Sequence, residues 1–321
     1  LHVGESGLAT RLFTPIASLN SSPITIEGEG TLLHRPMMLM IEPLRQLGVK
    51  VADGGGYLPI QVEGPMHGGE IEVDGSFSSQ FITGLLLSLP LAEQDTTMKV
   101  TSAVSTPYID MTIETARLFG IDIMHKEGDY SEFFIEGGQQ YTPTDLAIEG
   151  DWSGASYWYE LAAIAAHCGH EVEIMLYGLT ADSRQGDHVV ANLFEPLGIA
   201  TEYTTEGVRL RNCQPSNINC HIDFTHCPDI AQTLAVTYCI LGIPFTFEGI
   251  HSLRIKETDR VAALIAELRK LGYVLHAEGS TRLTWDGKRT NPIPCPTIST
   301  YEDHRMAMAF APAALYHKEL S

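Results

Sequence analysis

The sequence predicts an α/β fold made of about four copies of one unit, with a fifth copy begun near the C-terminal end. Two series of helices recur in phase along the chain. One precedes a glycine and a strand, in "RQLGVKV", "RLFGIDI", "EPLGIAT" and "RKLGYVL", with glycines spaced 72, 78 and 74 residues apart. The other begins at polar residues spaced 72, 75, 76 and 74 residues apart. Each unit is therefore expected to be a small α/β subdomain with two helices and a strand-rich segment.

The first helix series is amphipathic and is expected to end at its glycines. In "VAALIAELRKLG" the apolar residues follow the 3.6-residue period of a half-buried helix. A glycine just past a helix end tolerates the left-handed φ that stops the helix. The residues expected in this role are Gly48, Gly120, Gly198 and Gly272. Pro43 and Pro196 are each placed about one turn before a helix end, where they predict a kink or an early stop.

The second helix series is apolar on nearly all sides, which is typical of buried helices. Its members begin with Ser or Asp residues, whose side chains accept hydrogen bonds from the free N–H groups of a first turn. The residues that mark the starts are Ser6, Ser78, Ser153, Asp229 and Asp303. Capping accounts for one such residue per helix.

Cations gather at the same helix starts, and capping does not account for them. "RIKETDR" places Arg254, Lys256 and Arg260 at the mouth of one helix, where acids are normally preferred. Arg11, Arg35 and Arg305 occupy comparable positions in other units. If the repeats are related by rotation, these ends converge, and dipoles, N–H groups and cations together predict a site for a ligand with several negative charges.

The overall charge excludes several classes of partner. A formal net charge of −20 repels nucleic acid and anionic membrane surfaces. No apolar run is long enough to predict a membrane span, and the opening "LHVGESG" has no signal-peptide pattern. The first residue is Leu, which leads us to expect that the chain has been cut.

The six cysteines contain no CxxC pair and are expected to be free thiols in a reducing cytoplasm. One cluster, "CHIDFTHC" at residues 220–227, offers two Cys and two His and raises the alternative of a zinc site. In each Cys–His pair the residues are adjacent, so their side chains tend to point apart. Ordinary strand and turn residues are the favoured interpretation.

Five stretches resemble the EPSP synthase family, the 3-phosphoshikimate 1-carboxyvinyltransferases, from end to end. They are "DGSFSSQFITGLLL", "STPYIDMT", "DFTHCPDIAQT", "RIKETDRVAALIAELRKLG" and "YEDHRMAMAFA". The resemblance implies an α/β fold of two similar domains, residues 1–147 and 148–321. Each would be built from repeated βαβαββ-like units with buried parallel helices, in the inside-out barrel of the enolpyruvyl transferases.

The resemblance also implies an activity: transfer of an enolpyruvyl group from phosphoenolpyruvate to the 5-hydroxyl of shikimate 3-phosphate, with release of phosphate, in aromatic amino-acid biosynthesis. The family needs no metal and no organic cofactor. The reaction needs a base for the hydroxyl, an acid for the methylene carbon, and cations for two phosphates and two carboxylates. The implied partners are these two small molecules, with no nucleic acid or membrane, and the expected state is a cytoplasmic monomer.

The family's site residues map onto the matching positions of this chain. Those implied for shikimate 3-phosphate are Ser78, Ser79, Gln80, Ser105, Tyr108, Asp229 and Lys256. Those implied for phosphoenolpyruvate are Gly7, Arg11, Arg35, Gln80, Arg260, His304 and Arg305. Asp229 is the candidate base, Lys256 would bridge both ligands, and Glu257 is the candidate proton donor. The cations are expected to line one cleft between the domains.

Local alternatives stay open for several of these residues. Ser78 and Ser79 are also explained as a cap, and Asp229 as a helix start after Pro228. Glu257 and Asp259 are also explained as ordinary acids of a first turn.

The chain also departs from the family. "GESGLATRL" stands where many members have Asn-Ala-Gly-Thr-Ala-Met-Arg-Pro, which is expected to bring Glu5 near the phosphoenolpyruvate pocket and to place Leu8 at a small polar position. The family's N-terminal Lys-Ser motif and its C-terminal Lys segment are absent from this sequence. Because both carry cations for the ligands, we expect the chain as given to have little or no activity.

Two rival functions remain on sequence grounds. The UDP-N-acetylglucosamine enolpyruvyl transferases share the repeat and the donor, but they use a loop cysteine, and the first cysteine here is Cys168. A protein without catalytic activity that keeps the fold and some anion binding is the rival of another class.

Overall fold

The chain divides into two units, Leu1–Leu146 and Ala147–Ser321. A computed structural model describes residues 1–318 and 320–321. Each unit holds one three-stranded and one four-stranded sheet, with helices between the strands in sequence.

Unit 1 has four α-helices and seven strands. The helices are α1 (Gly7–Ala17), α2 (Met38–Gln46), α3 (Ser79–Ser88) and α4 (Thr106–Leu118). The strands are β1 (Ile24–Ile26), β2 (Lys50–Asp53), β3 (Ile60–Glu63), β4 (Gly69–Asp74), β5 (Thr96–Thr101), β6 (Ile123–Met124) and β7 (Glu132–Ile135). One sheet has the antiparallel order β1-β3-β2. The other has the order β4-β5-β7-β6, in which only β4 and β5 are parallel.

Unit 2 has five described α-helices and seven described strands. The helices are α5 (Trp152–His167), α6 (Val190–Phe194), α7 (Ala231–Leu241), α8 (Arg260–Lys270) and α9 (His304–Phe310). The strands are β8 (Glu173–Tyr177), β9 (Ile199–Tyr203), β10 (Gly207–Asn212), β11 (His221–Asp223), β12 (Phe245–Glu248), β13 (His276–Glu278) and β14 (Arg282–Trp285). The sheet orders are β8-β10-β9 and β11-β12-β14-β13, and again only the first pair of the larger sheet, β11 and β12, is parallel.

The sheet orders repeat as the sequence period requires. The three-stranded sheets β1-β3-β2 and β8-β10-β9 share one connectivity, and the four-stranded sheets share another. Each sheet corresponds to one repeat of the sequence. The predicted fold class, α/β with repeated units and buried helices, is confirmed.

The central helices of both units are buried, as their composition predicts. On α3 the residues Phe81, Ile82, Leu85 and Leu86 are at most 2 % exposed. A Cβ atom on Gly84 would overlap the carbonyl oxygen of Arg11, so this glycine allows the close approach of α1 to α3. Of α7, ten residues are buried, and only its last residue is more accessible. Among the described residues, none of the helices combines the length and the apolar character needed to cross a membrane.

The helix-ending glycines are confirmed, and the two prolines differ in whether the helix stops before them. The φ angles of Gly48, Gly120, Gly198 and Gly272 are +83°, +82°, +98° and +92°, all in the left-handed region. Helix α6 stops at Phe194, two residues before Pro196, as an early stop requires. Helix α2 instead continues past Pro43 to Gln46.

The predicted helix starts need three corrections. Ser6, Ser78 and Asp303 cap α1, α3 and α9, as expected. Asp151, not Ser153, caps α5, because its carboxylate accepts the N–H of Ser153 at 2.9 Å. Asp229 lies in a single 3-10 turn, Pro228–Ile230, that precedes α7.

The third correction concerns the "RIKETDR" segment. Helix α8 begins only at Arg260, because the Asp259 carboxylate accepts the N–H of Ala262 at 3.0 Å and so caps the helix. Lys256 and Glu257 therefore lie ahead of the helix and not in its first turn. This loop is what lets their side chains turn towards Asp229 and Arg260.

Unit 2 buries one carboxyl group that has no partner. Glu160 on α5 is 0 % exposed, and neither of its carboxylate oxygens accepts a hydrogen bond from residues 1–318 or 320–321. Burial raises the pKa of Glu160 well above its ordinary range, because the apolar surroundings disfavour the charged form. The folded protein therefore holds this proton more tightly than the unfolded chain does.

We expect Glu160→Gln to remove a pH-dependent loss of stability. Since the folded-state pKa is raised, the free energy of unfolding falls as pH rises above the unfolded pKa, by up to about 1.4 kcal/mol per pH unit. Gln cannot ionise, so in urea unfolding the variant should gain on the wild type as pH rises from the ordinary pKa of a glutamate towards the raised pKa of the folded state. Glu171→Gln, at an exposed position just beyond the same helix, is the control. Parallel stability curves for Glu160→Gln and the wild type would show that Glu160 is not a buried neutral acid.

Candidate functional site

Arg260 is the centre of a buried ion-pair cluster in unit 2. Its side chain is 1 % exposed, and each of its three guanidinium nitrogens donates to a carboxylate. Nε contacts Asp303 at 2.8 Å, Nη1 contacts Asp229 at 3.0 Å, and Nη2 contacts Glu257 at 2.8 Å. The planar guanidinium group thereby holds Asp303, Asp229 and Glu257 in one arrangement. A lysine has a single ammonium group and cannot do this.

Asp229 lies among three cations. Its carboxylate is 3.3 Å from Lys256 Nζ, 3.0 Å from Arg260 Nη1 and 3.5 Å from Arg305 Nη2. Burial opposes ionisation of Asp229, but Lys256, Arg305 and Arg260 outweigh it and hold the pKa of this carboxyl well below its usual range. In this arrangement Asp229 is an ionised hydrogen-bond acceptor.

The cluster is balanced in charge, and part of it is accessible. Lys256, Arg260 and Arg305 are formally matched by three carboxylates. The side chains of Lys256 and Arg305 are 26 % and 19 % exposed, whereas Arg260 and Asp303 are fully enclosed. An anionic ligand can therefore reach Lys256 and Arg305, in competition with Asp229. Arg260 and Asp303 form the support behind them.

Three residues of this region were not found from the sequence as functional groups. Asp303 was expected only as a helix start, yet it also binds Arg260 Nε. Burial raises the pKa of Tyr157, and the charges of Arg305 and Arg260 oppose that shift. Burial also raises the pKa of Asp187, to about 6, and the negative charge of Asp229 adds to the shift. No local pattern marks Asp187 or Tyr157, because their surroundings are made by distant parts of the chain.

In unit 1 the predicted residues near the start of α1 come together. Arg11 Nη1 donates to Gln80 Oε1 at 2.7 Å, and its guanidinium lies 5.0 Å from the ring centre of Phe81. A Cβ atom on Gly7 would lie 2.9 Å from Arg35 Nη1 and 3.2 Å from Arg11 Nη1. Gly7 therefore leaves room for two guanidinium groups beside the first turn of α1.

The predicted serines lie at the starts of two neighbouring helices. Ser78 caps α3 by accepting the N–H of Gln80 at 3.3 Å, so the capping explanation holds for this residue. Ser105 precedes α4 with φ +52°, a left-handed conformation that is rare for residues other than glycine. Thr83 and Thr112 join the two helices through a hydroxyl contact of 3.1 Å. Ser79 and Tyr108 lie in the first turns of these helices.

Two further predicted residues are Glu5, which precedes α1 in unit 1, and His304, which follows Asp303 in unit 2. The Glu5 carboxylate accepts the N–H of Thr31 at 3.0 Å and its hydroxyl at 3.2 Å, which ties it to the 3-10 helix Gly30–His34. His304 opens α9 with an exposed side chain, and within residues 1–318 and 320–321 that side chain forms no hydrogen bond or ion pair.

Metal-binding side chains do not form a cluster in the part of the chain that is described. In the "CHIDFTHC" segment Cys227 is buried, Cys220 is exposed, and His221 Nε2 is 3.0 Å from Glu248. These are strand and turn contacts.

The sequence pattern of the EPSP synthase family, the 3-phosphoshikimate 1-carboxyvinyltransferases, matches residues 1–320. The chain belongs to the EPSP synthase family. The resemblance seen in the five sequence stretches is thereby confirmed, and the family is one of transferases.

Relatives in this family align along almost the whole chain. A 3-phosphoshikimate 1-carboxyvinyltransferase of Bacteroides fragilis is 40% identical over 316 residues, which are 97% of this chain and 75% of the relative. One of Yersinia pestis is 38% identical over 322 residues, covering 98% of this chain and 72% of the relative.

Solved structures share the fold. An EPSP synthase of Acinetobacter baumannii superposes with a TM-score of 0.71 at 21% identity, over 100% of this chain and 73% of that one. The enolpyruvyl transferase NikO of Streptomyces tendae gives a TM-score of 0.67 at 14% identity, over 96% and 69% of the two chains. At these identities the likeness concerns the fold alone.

Proposed function

We propose that this EPSP synthase family member transfers the enolpyruvyl group of phosphoenolpyruvate to the 5-hydroxyl of shikimate 3-phosphate and releases phosphate. The observation that carries the proposal is the ionised Asp229 held among Lys256, Arg260 and Arg305. It offers one hydroxyl acceptor and two accessible cations for anionic ligands, which is the combination this reaction needs. The relatives' names favour this activity over transfer to UDP-N-acetylglucosamine and over a protein without catalytic activity.

The reaction makes a bond from the 5-oxygen to C2 of phosphoenolpyruvate and breaks the bond from C2 to the phosphate oxygen. The hydroxyl proton must leave. If addition precedes loss of phosphate, a proton must reach the methylene carbon, and the resulting methyl group must give up a proton as phosphate leaves so that the double bond is restored. Asp229 is proposed as the group that binds and deprotonates the hydroxyl. Glu257 is proposed as the proton donor to the methylene carbon and as the group that takes a proton back from the methyl group. Because its carboxylate accepts from Arg260 Nη2, it must first take up a proton before it can donate one.

Ligand binding itself would convert Asp229 from an acceptor into a base. While Lys256, Arg305 and Arg260 are paired with Asp229, they hold its pKa well below its usual range and make it a poor acceptor for a hydroxyl proton. Phosphate and carboxylate oxygens that bind Lys256 and Arg305 draw their positive charge away from Asp229. The proton affinity of Asp229 then rises only when both anionic ligands are in place.

The remaining roles are the binding of the two ligands, which we assign to residues of unit 1 and of unit 2. For shikimate 3-phosphate we propose Ser78, Ser79, Gln80, Ser105 and Tyr108 of unit 1, and Asp229 and Lys256 of unit 2. For phosphoenolpyruvate we propose Gly7, Arg11, Arg35 and Gln80 of unit 1, and Arg260, His304 and Arg305 of unit 2. Arg260 acts in this scheme mainly by holding Asp229 and Glu257 in place. A cytoplasmic location and a monomeric state stay predictions.

A coupled assay of phosphate release tests the proposed function. We expect phosphate release only when both ligands are present, matched by a product whose mass equals that of shikimate 3-phosphate plus the enolpyruvyl group. Asp229→Asn should abolish most of the rate, whereas Asp259→Asn, which changes the α8 cap, should keep most of it. The 321-residue sequence by itself is expected to have little or no activity. Absence of phosphate release from a folded version that also carries the family's two terminal cation segments, or equal release with UDP-N-acetylglucosamine, would refute the assignment.

A further inference from the structure

The 3-10 helix Gly186–Val189 buries a second carboxyl group behind the start of α5. Asp187 is 0 % exposed, and Ser153 Oγ donates to its Oδ2. Its other oxygen, Oδ1, is buried and has no hydrogen-bond partner within residues 1–318 and 320–321. Trp152 N–H donates to Gln185 Oε1 at 2.9 Å, which fixes this turn against α5.

A line of buried polar groups leads from this turn to Asp229. Ser156 Oγ donates to the carbonyl oxygen of Ser153 at 2.7 Å and lies 3.3 Å from Thr233 Oγ1 on α7. Next to Thr233, the Gln232 amide donates to the carbonyl oxygen of Asp229. The turn that carries Asp187 and the backbone of Asp229 are thus joined by one packed set of polar contacts between α5 and α7.

The charges that face Asp187 are of both signs. Burial and then Asp229 raise its pKa, Ser153 and Arg305 lower it, and Asp151 raises it slightly. The thiol of Cys227 lies in the same field, since burial and then Asp187, Asp223 and Asp229 raise its pKa.

His188 follows Asp187 in the same 3-10 helix, and burial lowers the pKa of its ring. Because the pKa of Asp187 is about 6 and that of Asp229 is far lower, Asp187 changes charge close to neutral pH while Asp229 stays ionised.

We propose that Asp187 is a positioning residue whose ionised carboxylate makes Asp229 a stronger proton acceptor for the substrate hydroxyl. The inference rests on the proposed function. Three cations pull Asp229 towards the ionised state, and burial opposes them. The negative charge of a second buried carboxylate acts in the same direction as burial. The proton passes from the hydroxyl to Asp229, and Asp187 itself forms no bond to the substrate.

The pH dependence of kcat tests this role. The wild type should lose rate below about pH 6, where Asp187 takes up a proton. Asp187→Asn keeps the shape of the side chain without its charge, so kcat at pH 7.5 should fall about tenfold with little change in KM, and the acidic limb should disappear. Ser153→Ala removes a hydrogen bond that favours the ionised form, so its acidic limb should move to higher pH. Asp182→Asn, at an exposed turn position, should keep the wild-type profile.

The outcomes separate the two hypotheses. The wild type and its variants are compared in a version that also carries the family's two terminal cation segments. If that folded wild type releases no phosphate, the proposed function is overturned and this inference with it. An active wild type whose acidic limb is unchanged in both variants overturns the inference alone. So does a loss of kcat in Asp187→Asn by the same factor at every pH, because a purely structural role would produce it. If Asp187→Asn does not fold, as judged by its thermal transition, the direction of the shift in Ser153→Ala decides.

Discussion

Arg260→Lys is expected to remove nearly all activity and to lower stability, although it keeps the charge. A single ammonium group cannot replace three nitrogens that donate to Asp303, Asp229 and Glu257. Breaking a buried ion pair leaves an uncompensated charge and lowers the free energy of unfolding by about 3 to 5 kcal/mol. Because Asp229 and Glu257 also lose their fixed positions, kcat/KM should fall by roughly a thousandfold or more.

Arg269→Lys is the matched control for this change, because Arg269 lies on the exposed side of the same helix. Its kcat/KM and urea midpoint should stay near those of the wild type. If Arg260→Lys kept wild-type kcat/KM, the three carboxylate contacts would not matter for the reaction. If it lost activity without loss of stability, Arg260 would act on the ligand directly and not by holding Asp229 and Glu257.

Lys256→Ala is expected to reduce turnover while the protein stays folded. Lys256 lies in a loop with a partly exposed side chain, and its Nζ is 3.3 Å from the carboxylate of Asp229. Loss of one charge-assisted contact to the reacting groups raises the activation free energy by about 2 to 4 kcal/mol, which is roughly 30- to 1,000-fold in kcat. Its removal also takes away the strongest of the charges that lower the pKa of Asp229.

Arg269→Ala is the control for this second change, because it removes a cation from an exposed position on α8, the helix that follows the Lys256 loop. Single-turnover measurements of phosphate release, with thermal unfolding as the check on folding, separate loss of chemistry from loss of structure. Equal rates for the two variants would exclude Lys256 from the reaction.

Features set by local chemistry could be predicted from the sequence. The helix-ending glycines follow from the need for a positive φ, and all four adopt it. The repeated sheets follow from the spacing of similar segments. The start of α8 was misplaced because two acids, Glu257 and Asp259, both fit a first turn, and only the contact of Asp259 with Ala262 N–H decides between them.

Contacts between distant residues could not be predicted in the same way. Arg260 meets Asp303 across 43 residues, and Ser153 meets Asp187 across 34. The sequence placed cations near helix starts and Asp229 and Glu257 in the same site, but it did not show that Arg260 would pair with Asp303, Asp229 and Glu257 together. The balance of three cations and three carboxylates, and the low pKa of Asp229 that follows from it, depends on burial and on distances that only the folded chain defines.

A crystal structure of the protein with shikimate 3-phosphate and phosphoenolpyruvate tests the central claim most directly. We expect Lys256 and Arg305 to have moved from Asp229 to ligand phosphate or carboxylate oxygens at about 2.7 to 2.9 Å, the distance typical of charge-assisted hydrogen bonds. Asp229 should then accept from a ring hydroxyl of shikimate 3-phosphate. Ordered ligands bound away from this cluster, with Lys256 and Arg305 still paired to Asp229, would contradict the account.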